Sequence, residues 1–221
     1  MSTFRRNESG EIEIAFTSQE AQVLVNLTEQ LLELLGENEL ATSSADLDHQ
    51  TFMNLMGISS SDGPPEDPVL RRLFPSAYQD EQEASEFRRY TEHGLREKKR
   101  AHAFLIRESL SEGGAVDEIE WSDGTSPDRS VIELRMNDGE ANAWLGGLND
   151  LRLALAVRLG IGEQSDSNTD SSDEADTAKS FELMRDSDPM KAVYSVYSWL
   201  GWVQQSLLEV LMATGDEHQA T

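Results

Sequence analysis

Hydrophobic positions recur along this chain with two different periods, which together predict helices and a few short strands. The segment Ile12–Phe16 alternates apolar and polar residues, as a half-buried β-strand does. With Phe4–Arg6 on the other side of an Asn-Glu-Ser-Gly turn, it predicts an N-terminal β-hairpin. Thr17 and Glu20 then form a T-x-x-E capping box, so we expect a helix to begin directly after this hairpin.

Six segments have apolar residues at helical spacing. The first carries four leucines on one face and ends at Gly36, a residue typical of helix C-termini. Two short helices are predicted at about residues 46–56 and 69–74, and three long ones at about residues 82–111, 138–159 and 189–212. The last two are apolar around much of their circumference, which indicates central rather than peripheral helices.

These segments predict a mainly α protein (α+β by strict count), namely a helical bundle with small antiparallel β-hairpins. The second hairpin is expected from the sequences AVDEIEW and SVIELRM on either side of a turn. Residues 163–177 hold six acidic residues, no base and no large apolar residue, a composition typical of a mobile linker. Because the long helices on its two sides must still pack together, we expect one domain over residues 1–221 with this acidic linker inside it.

Charge is the most unusual feature of the composition. The 221 residues include 42 acids against 18 Lys and Arg, for a formal net charge of −24, and no cysteine. Such a surface repels nucleic-acid phosphates, so any DNA contact would need a local basic face. The lack of cysteine removes disulfides and thiolate metal sites and favours a reducing compartment. The N-terminus does not resemble a signal peptide and Met190–Met212 is interrupted by polar residues, so we expect a cytoplasmic protein without a membrane span.

Sequence motifs for catalysis are absent. The chain has no G-x-x-x-x-G-K-[ST], G-x-S-x-G or H-E-x-x-H motif, and its acidic linker lacks the Gly and Glu of a calcium loop. We therefore predict no enzyme activity, no catalytic residue, no cofactor and no metal. We interpret the aromatic run Tyr194–Trp202 as part of a buried core helix. Leu148–Asp150 and Arg152 are interpreted as a buried hydrogen-bond network.

One predicted helix has the opposite charge from the rest of the chain. Residues 88–107 contain seven of the 18 Lys and Arg and only two Glu. At about 100° per residue, Phe87 shares one side of this helix with Gly94, Ala101 and Leu105, and four arginines lie about 180–220° away. This arginine stripe is the predicted partner-binding site and consists of Arg89, Arg96, Arg100 and Arg107.

Three interpretations of the arginine stripe stay open. It is a solvated or internally paired face, through local pairs such as Glu92–Arg96 or by docking the chain's own acidic linker. Alternatively it holds a protein partner, since guanidinium groups make bidentate contacts to carboxylates. The third interpretation is a local nucleic-acid contact.

Several segments, in their order along the chain, resemble one protein family: PPEDPVLRRLFPSAY, FRRYTEHGLREKKRAHA, AWLGGLNDLRLALAVRLGI and YSVYSWLGWVQQSLLEVLM. This is an actinobacterial family of unknown-function domains, encoded beside the Clp protease adaptor, which includes a transcriptional regulator of the oxidative-stress response. The resemblance covers most of the chain apart from the N-terminal hairpin and the acidic linker.

The resemblance implies a non-enzymatic transcriptional regulator of oxidative stress that acts through a protein partner, with a sigma factor or RNA polymerase as the expected one. An oxidant-sensing cysteine pair, which the resemblance would also imply, has no counterpart in this cysteine-free chain. The alternatives are a direct DNA-binding regulator that uses the basic helix face, and an uncharacterised enzyme or Clp-pathway accessory protein. The apolar surfaces of the last two long helices also favour a homodimer.

Overall fold

The computed structural model describes residues 2–36, 63–113, 131–161, 181 and 183–213. These residues form a three-stranded antiparallel sheet and five helices, so the protein is mainly α as the sequence predicts. The strands are β1 (Arg5–Arg6), β2 (Ile12–Thr17) and β3 (Val131–Met136). The helices are α1 (Ser18–Leu34), α2 (Pro68–Leu73), α3 (Glu81–Glu112), α4 (Asp138–Arg158) and α5 (Pro189–Ala213).

The sheet has the order β1-β2-β3, with both pairs antiparallel. The pairing of β1 with β2 confirms the predicted N-terminal hairpin. The register of the second pair places Ile12 opposite Met136 and Thr17 opposite Val131. Alternate residues of β2 and β3 face the core, and these are Ile12, Ile14, Phe16, Ile132, Leu134 and Met136. Their shared apolar face fixes this register, because a slip by one residue would turn every side chain to the other face.

Capping boxes mark where two of the described helices begin. The Thr17 hydroxyl accepts from the Glu20 amide at 3.2 Å, and the Glu20 carboxylate accepts from the Thr17 amide at 2.9 Å. This confirms the predicted capping box before α1. Asn137 and Glu140 form a second capping box before α4. After α1, Gly36 adopts a φ of +86°, a left-handed conformation that favours glycine.

Helix α4 lies at the centre of the bundle, as predicted, and contacts each of the other four helices. Its Trp144 is buried between two phenylalanines: the Phe16 ring stacks on it at 6.1 Å and the Phe4 ring meets it edge-on at 6.2 Å. Gly146 allows α3 to approach closely, because a Cβ there would overlap the His102 imidazole at Nδ1. Most of the buried apolar residues of the five helices and the sheet form one contiguous core.

Helix α5 is less buried than the sequence predicts. The interpretation of Tyr194–Trp202 as part of a buried core helix was wrong for Trp202, which is 50% exposed. The other aromatic side chains of that run are half-buried, because α5 packs only one face, that of Leu200, Val203 and Leu207, into the core. Among the described helices, none is both long and apolar enough to cross a membrane.

Three predicted elements lie outside the described residues. They are the short helix at about residues 46–56, the strand AVDEIEW, and the acidic linker at about residues 163–177. The sequence SVIELRM, predicted as the partner of AVDEIEW, contains β3 and pairs with β2.

Candidate functional site

The long helix α3 does not bury the side that carries Phe87. Phe87 is 42% exposed, and Gly94 and Ala101 on the same side are exposed as well. The buried residues lie about 60–160° around the helix from Phe87, and they are Ala84, Arg88, Glu92, Ala103, Ile106 and Leu110. The arginine stripe, at about 180–220°, therefore borders the buried face of α3.

The four stripe arginines have different surroundings. Arg89 is exposed. Arg100 is half-buried and donates from Nη1 to Oε1 of Glu97 at 3.2 Å. Arg107 is also half-buried, with its guanidinium carbon 4.9 Å from the ring centre of Phe104. The fourth arginine belongs to a buried charge cluster next to the stripe.

In this cluster, two arginines of α3 lie on either side of one buried glutamate, Glu92. Glu92 is buried and accepts a hydrogen bond from Nη2 of Arg96 at 2.8 Å. Arg88 is buried too, with Nε 3.8 Å from the second Glu92 oxygen and Nη2 donating to the Ser76 hydroxyl at 3.0 Å. The guanidinium of Arg96 lies 4.9 Å from the ring centre of Phe74. The local Glu92–Arg96 pair considered from the sequence is therefore present.

A second ion pair in the cluster joins α3 to α4. Asp150 is 3% exposed, and its Oδ1 accepts from Nζ of Lys99 at 2.6 Å. The same Nζ lies 5.9 Å from the ring centre of Phe74, so one aromatic ring lies beside the charges of both Arg96 and Lys99. Buried charges are tolerated only when they are paired. The cluster therefore fixes the rotation of α3 about its axis, and with it the direction of the stripe.

The predicted polar network on α4 is confirmed for Asp150 and Arg152. Arg152 donates from Nη1 to Oε1 of Gln204 at 2.7 Å and from Nη2 to the Tyr197 hydroxyl at 3.3 Å, which links α4 to α5. Asn149, predicted from the sequence to be in the same buried network, is exposed. The central helix is thus tied by charged groups to α3 on one side and to α5 on the other.

Sequence reasoning missed the roles of Arg88 and Lys99. Both were counted only as members of a basic window. The available signal was angular: they lie about 100–120° from Phe87, on the same side of α3 as Ile106 and Ala103. A charge that shares a helix face with core residues is expected to need a buried partner, but the sequence does not say which helix supplies that partner.

A groove of about 520 Å³ separates the exposed surfaces of α3, α4 and α5, and Lys98, His102, Leu145, Gln204 and Leu208 are among its lining residues. Burial lowers the pKa of the His102 imidazole below its ordinary value. Lys98 and Lys99 act in the same direction, whereas Asp150 opposes them. His102 is therefore held mainly in its neutral form at pH 7.

We expect His102 to make the fold less stable in mild acid. The unfolded chain binds a proton at this residue at a higher pH than the folded chain does, so stability falls as the pH drops below about 6.5 and through the lowered pKa. In urea unfolding at about pH 7.5 and pH 5.5, His102→Gln should lose less stability than the wild type between the two pH values. His93→Gln, on the same helix, is the matched control. An identical pH dependence in the wild type and His102→Gln would contradict the prediction.

The described part of the molecule is thus a helical bundle with a small sheet, whose longest helix carries a basic face, and no group of three or more His, Asp or Glu in it is placed to hold a metal ion. The chain belongs to the family described as Domain of unknown function (DUF2017), which matches residues 1–211.

Curated relatives of this chain are named as regulators. "Oxidative stress regulator AosR" of Mycobacterium bovis is 29% identical over 196 residues, which cover 88% of this chain and 79% of the relative. The protein of that name from Mycobacterium tuberculosis has the same identity and coverage. A Mycobacterium leprae protein whose name also includes AosR is 30% identical over 210 residues, covering 88% of this chain and 80% of its own. No solved structure matches the chain.

Proposed function

We propose that this protein is a non-enzymatic regulator of the oxidative-stress response that acts through contacts with a protein of the transcription machinery. The names of its relatives support the regulatory role. The expected partner is a sigma factor or RNA polymerase, and the expected contact surface on this chain is the arginine stripe. The protein is expected to act in the cytoplasm.

The observation that carries this proposal is the position of the stripe at the border of the buried face. Local contacts hold Arg96 and Arg100 in place, yet their side chains remain 26% and 17% exposed to solvent. Arg89 is exposed. Guanidinium groups that are already ordered lose less entropy when they bind a partner's carboxylates. The rest of the chain is strongly acidic, so an acidic partner surface is attracted more strongly to this basic face than to the rest of the surface.

Arg96 must be kept in any test of the stripe. Its loss would remove the 2.8 Å hydrogen bond to the buried Glu92 and leave that carboxylate with only the longer 3.8 Å contact to Arg88. Removing one partner of a buried charge pair is strongly destabilising. A variant that reverses all four stripe arginines would therefore lose stability as well as charge, and it would not isolate the effect on binding.

The test is the triple variant Arg89→Glu, Arg100→Glu and Arg107→Glu. We expect it to bind the host's RNA polymerase and purified sigma factors at least about 100-fold more weakly, as the loss of three charge contacts of about 1 kcal/mol each implies. Binding is measured by biolayer interferometry, and circular dichroism checks the fold. The matched control reverses three exposed arginines elsewhere, Arg71, Arg72 and Arg158, and changes the net charge equally.

Equal losses in both triple variants would show that net charge matters and the stripe does not. Unchanged binding by the stripe variant would remove the stripe from the proposal. If neither sigma factors nor polymerase bind the wild type, the proposed partner class is wrong. In that case, duplex binding whose log affinity falls with log salt at a slope of about −3.6 would support the direct DNA-binding alternative with four phosphates neutralised.

A further inference from the structure

Helix α3 carries an exposed seam on the side away from its buried face. We define the α3 seam as six residues in the central part of the helix that lie within about 50° of their common mean direction: Tyr90, Gly94, Glu97, Lys98, Ala101 and Leu105. Tyr90 is 68% exposed, and a Cβ on Gly94 would meet nothing within 4 Å. Leu105 is half-buried at the far end of the seam. The seam runs for about 22 Å, at 1.5 Å per residue from Tyr90 to Leu105.

Exposed apolar side chains concentrate around this seam. Five of the eleven large hydrophobic residues that are exposed in the described ranges lie on α3 or in the turn before it, and they are Tyr78, Phe87, Tyr90, Leu95 and Phe104. Two small residues, Gly94 and Ala101, lie in the middle of the seam, where they leave room for a second helix to approach. Exposed aromatic side chains such as Tyr90 are enriched in the contact surfaces of proteins, which favours a partner for this side of α3.

The residue types of the seam are arranged symmetrically about its midpoint. Tyr90 and Gly94 precede its midpoint by the same numbers of residues as Leu105 and Ala101 follow it, because the spacings are four, seven and four residues. The midpoint falls between Glu97 and Lys98, which carry opposite charges. A two-fold symmetric contact requires that residue i meet residue j of the second copy while j meets i. This seam satisfies that requirement in its apolar, small and charged positions.

We infer that the partner of the α3 seam is a second copy of this chain, bound with the two α3 helices antiparallel across a two-fold axis between Glu97 and Lys98. Each Tyr90 then packs on Leu105 of the second copy, and each Gly94 meets Ala101, so the helices approach closely at two points. Each Glu97 faces Lys98 of the other copy. These two residues are neighbours on one helix and do not face each other within it.

The charge distribution favours this face over the rest of the surface for self-association. Two copies of net charge −24 repel each other across most of their surfaces. On the seam itself, Glu97 and Lys98 carry opposite charges that cancel. Most of the other bases of residues 88–107 are already paired with carboxylates of the same chain, so two seams meet with little net charge. The arginine stripe is centred about 130° around α3 from the seam. The two surfaces meet at one ion pair, in which Arg100 of the stripe donates to Glu97 of the seam at 3.2 Å. This inference does not depend on the proposed function.

Charge exchange at the axis tests the contact directly. Analytical ultracentrifugation of the full chain is expected to show a species of twice the 24.6 kDa chain mass at concentrations up to about 200 µM. Glu97→Lys and Lys98→Glu should each weaken dimerisation at least about tenfold, because each places like charges together at the axis. The double variant with both changes should return to within about threefold of the wild type, since it restores both intermolecular pairs with reversed polarity.

Cysteine cross-linking tests the orientation, because the natural chain has no cysteine to interfere. The variant with both Gly94→Cys and Ala101→Cys should form intermolecular disulfides under mild copper–phenanthroline oxidation. Gly94→Cys alone should not, because antiparallel packing separates the two copies of position 94 by about 10 Å along the helix. Efficient cross-linking of Gly94→Cys alone would indicate parallel helices and overturn the proposed arrangement.

A monomer mass at every concentration, with no cross-linking of the double-cysteine variant, would overturn the inference altogether. So would a dimer that Glu97→Lys and Lys98→Glu leave unchanged, because that dimer would use another surface, such as the exposed part of α5. Circular dichroism of each variant separates loss of association from loss of the fold. Recovery in the charge-exchanged double variant also excludes unfolding as the cause of the single-variant effects.

Discussion

Replacing Asp150 with alanine is expected to lower the free energy of unfolding by about 3 kcal/mol. The change leaves the ammonium group of Lys99 without its 2.6 Å partner at the α3–α4 contact. Breaking a buried ion pair from one side costs about 3–5 kcal/mol, and the lower figure applies because the Lys99 side chain keeps 19% of its exposure. Urea unfolding followed by circular dichroism measures the loss.

Two further variants distinguish the contribution of the buried Lys99–Asp150 ion pair from that of a surface ion pair and from the packing around it. Asp138→Ala also removes an ion-paired aspartate from α4, but that pair with Arg6 is at the surface and should contribute no more than about 1 kcal/mol. The double variant Lys99→Met with Asp150→Leu should recover most of the stability, because apolar residues of similar size often replace a buried ion pair without loss. Equal effects of Asp150→Ala and Asp138→Ala would contradict the assigned role of Asp150.

Trp144→Ala is expected to destabilise the fold by about 3–5 kcal/mol, the usual range for removing a large aromatic side chain from a core. The indole is 1% exposed, and it contacts the rings of both Phe4 and Phe16. Its removal leaves a cavity where the sheet meets α4, and it also removes two aromatic contacts of about 0.5–1.5 kcal/mol each. A loss of this size is a large part of the 5–15 kcal/mol that stabilises a typical domain.

The chain provides a matched control for this substitution. Trp202→Ala removes the same side chain from α5, where it is 50% exposed. We expect the control to lose about 1 kcal/mol or less, as surface substitutions usually do. Similar urea midpoints for the two variants would show that Trp144 does not anchor the sheet to the bundle.

The two predictions concern the parts of the fold that orient α3. Trp144 holds the sheet against α4, and Asp150 holds α3 against the other side of the same helix. Both the arginine stripe and the α3 seam lie on α3, so both proposed surfaces depend on these contacts. A loss of α3 packing would therefore disturb the two surfaces together, which is why each functional test above includes a check of the fold.

Local sequence signals alone determined where most described elements begin and end. The T-x-x-E box before α1, Gly36 after it, and the alternation in β2 act within a few residues of the chain, and the structure confirms all three. The mainly helical content follows from the recurrence of apolar residues at helical spacing, about every 3.6 residues. The resemblance of four sequence segments to one family is also a property of the sequence, and the family match confirms it.

Tertiary structure alone decided which face of α3 is buried and which strand β3 joins. A helical pattern gives angles between residues but does not identify their neighbours. The structure buries Arg88 and Glu92. It gives Lys99 a partner because α4 supplies Asp150 and the Phe74 ring lies beside the ammonium group. Likewise β3 pairs with β2, more than a hundred residues earlier, because both have one apolar face to bury. Such choices depend on which distant surfaces meet, and no local period contains that information.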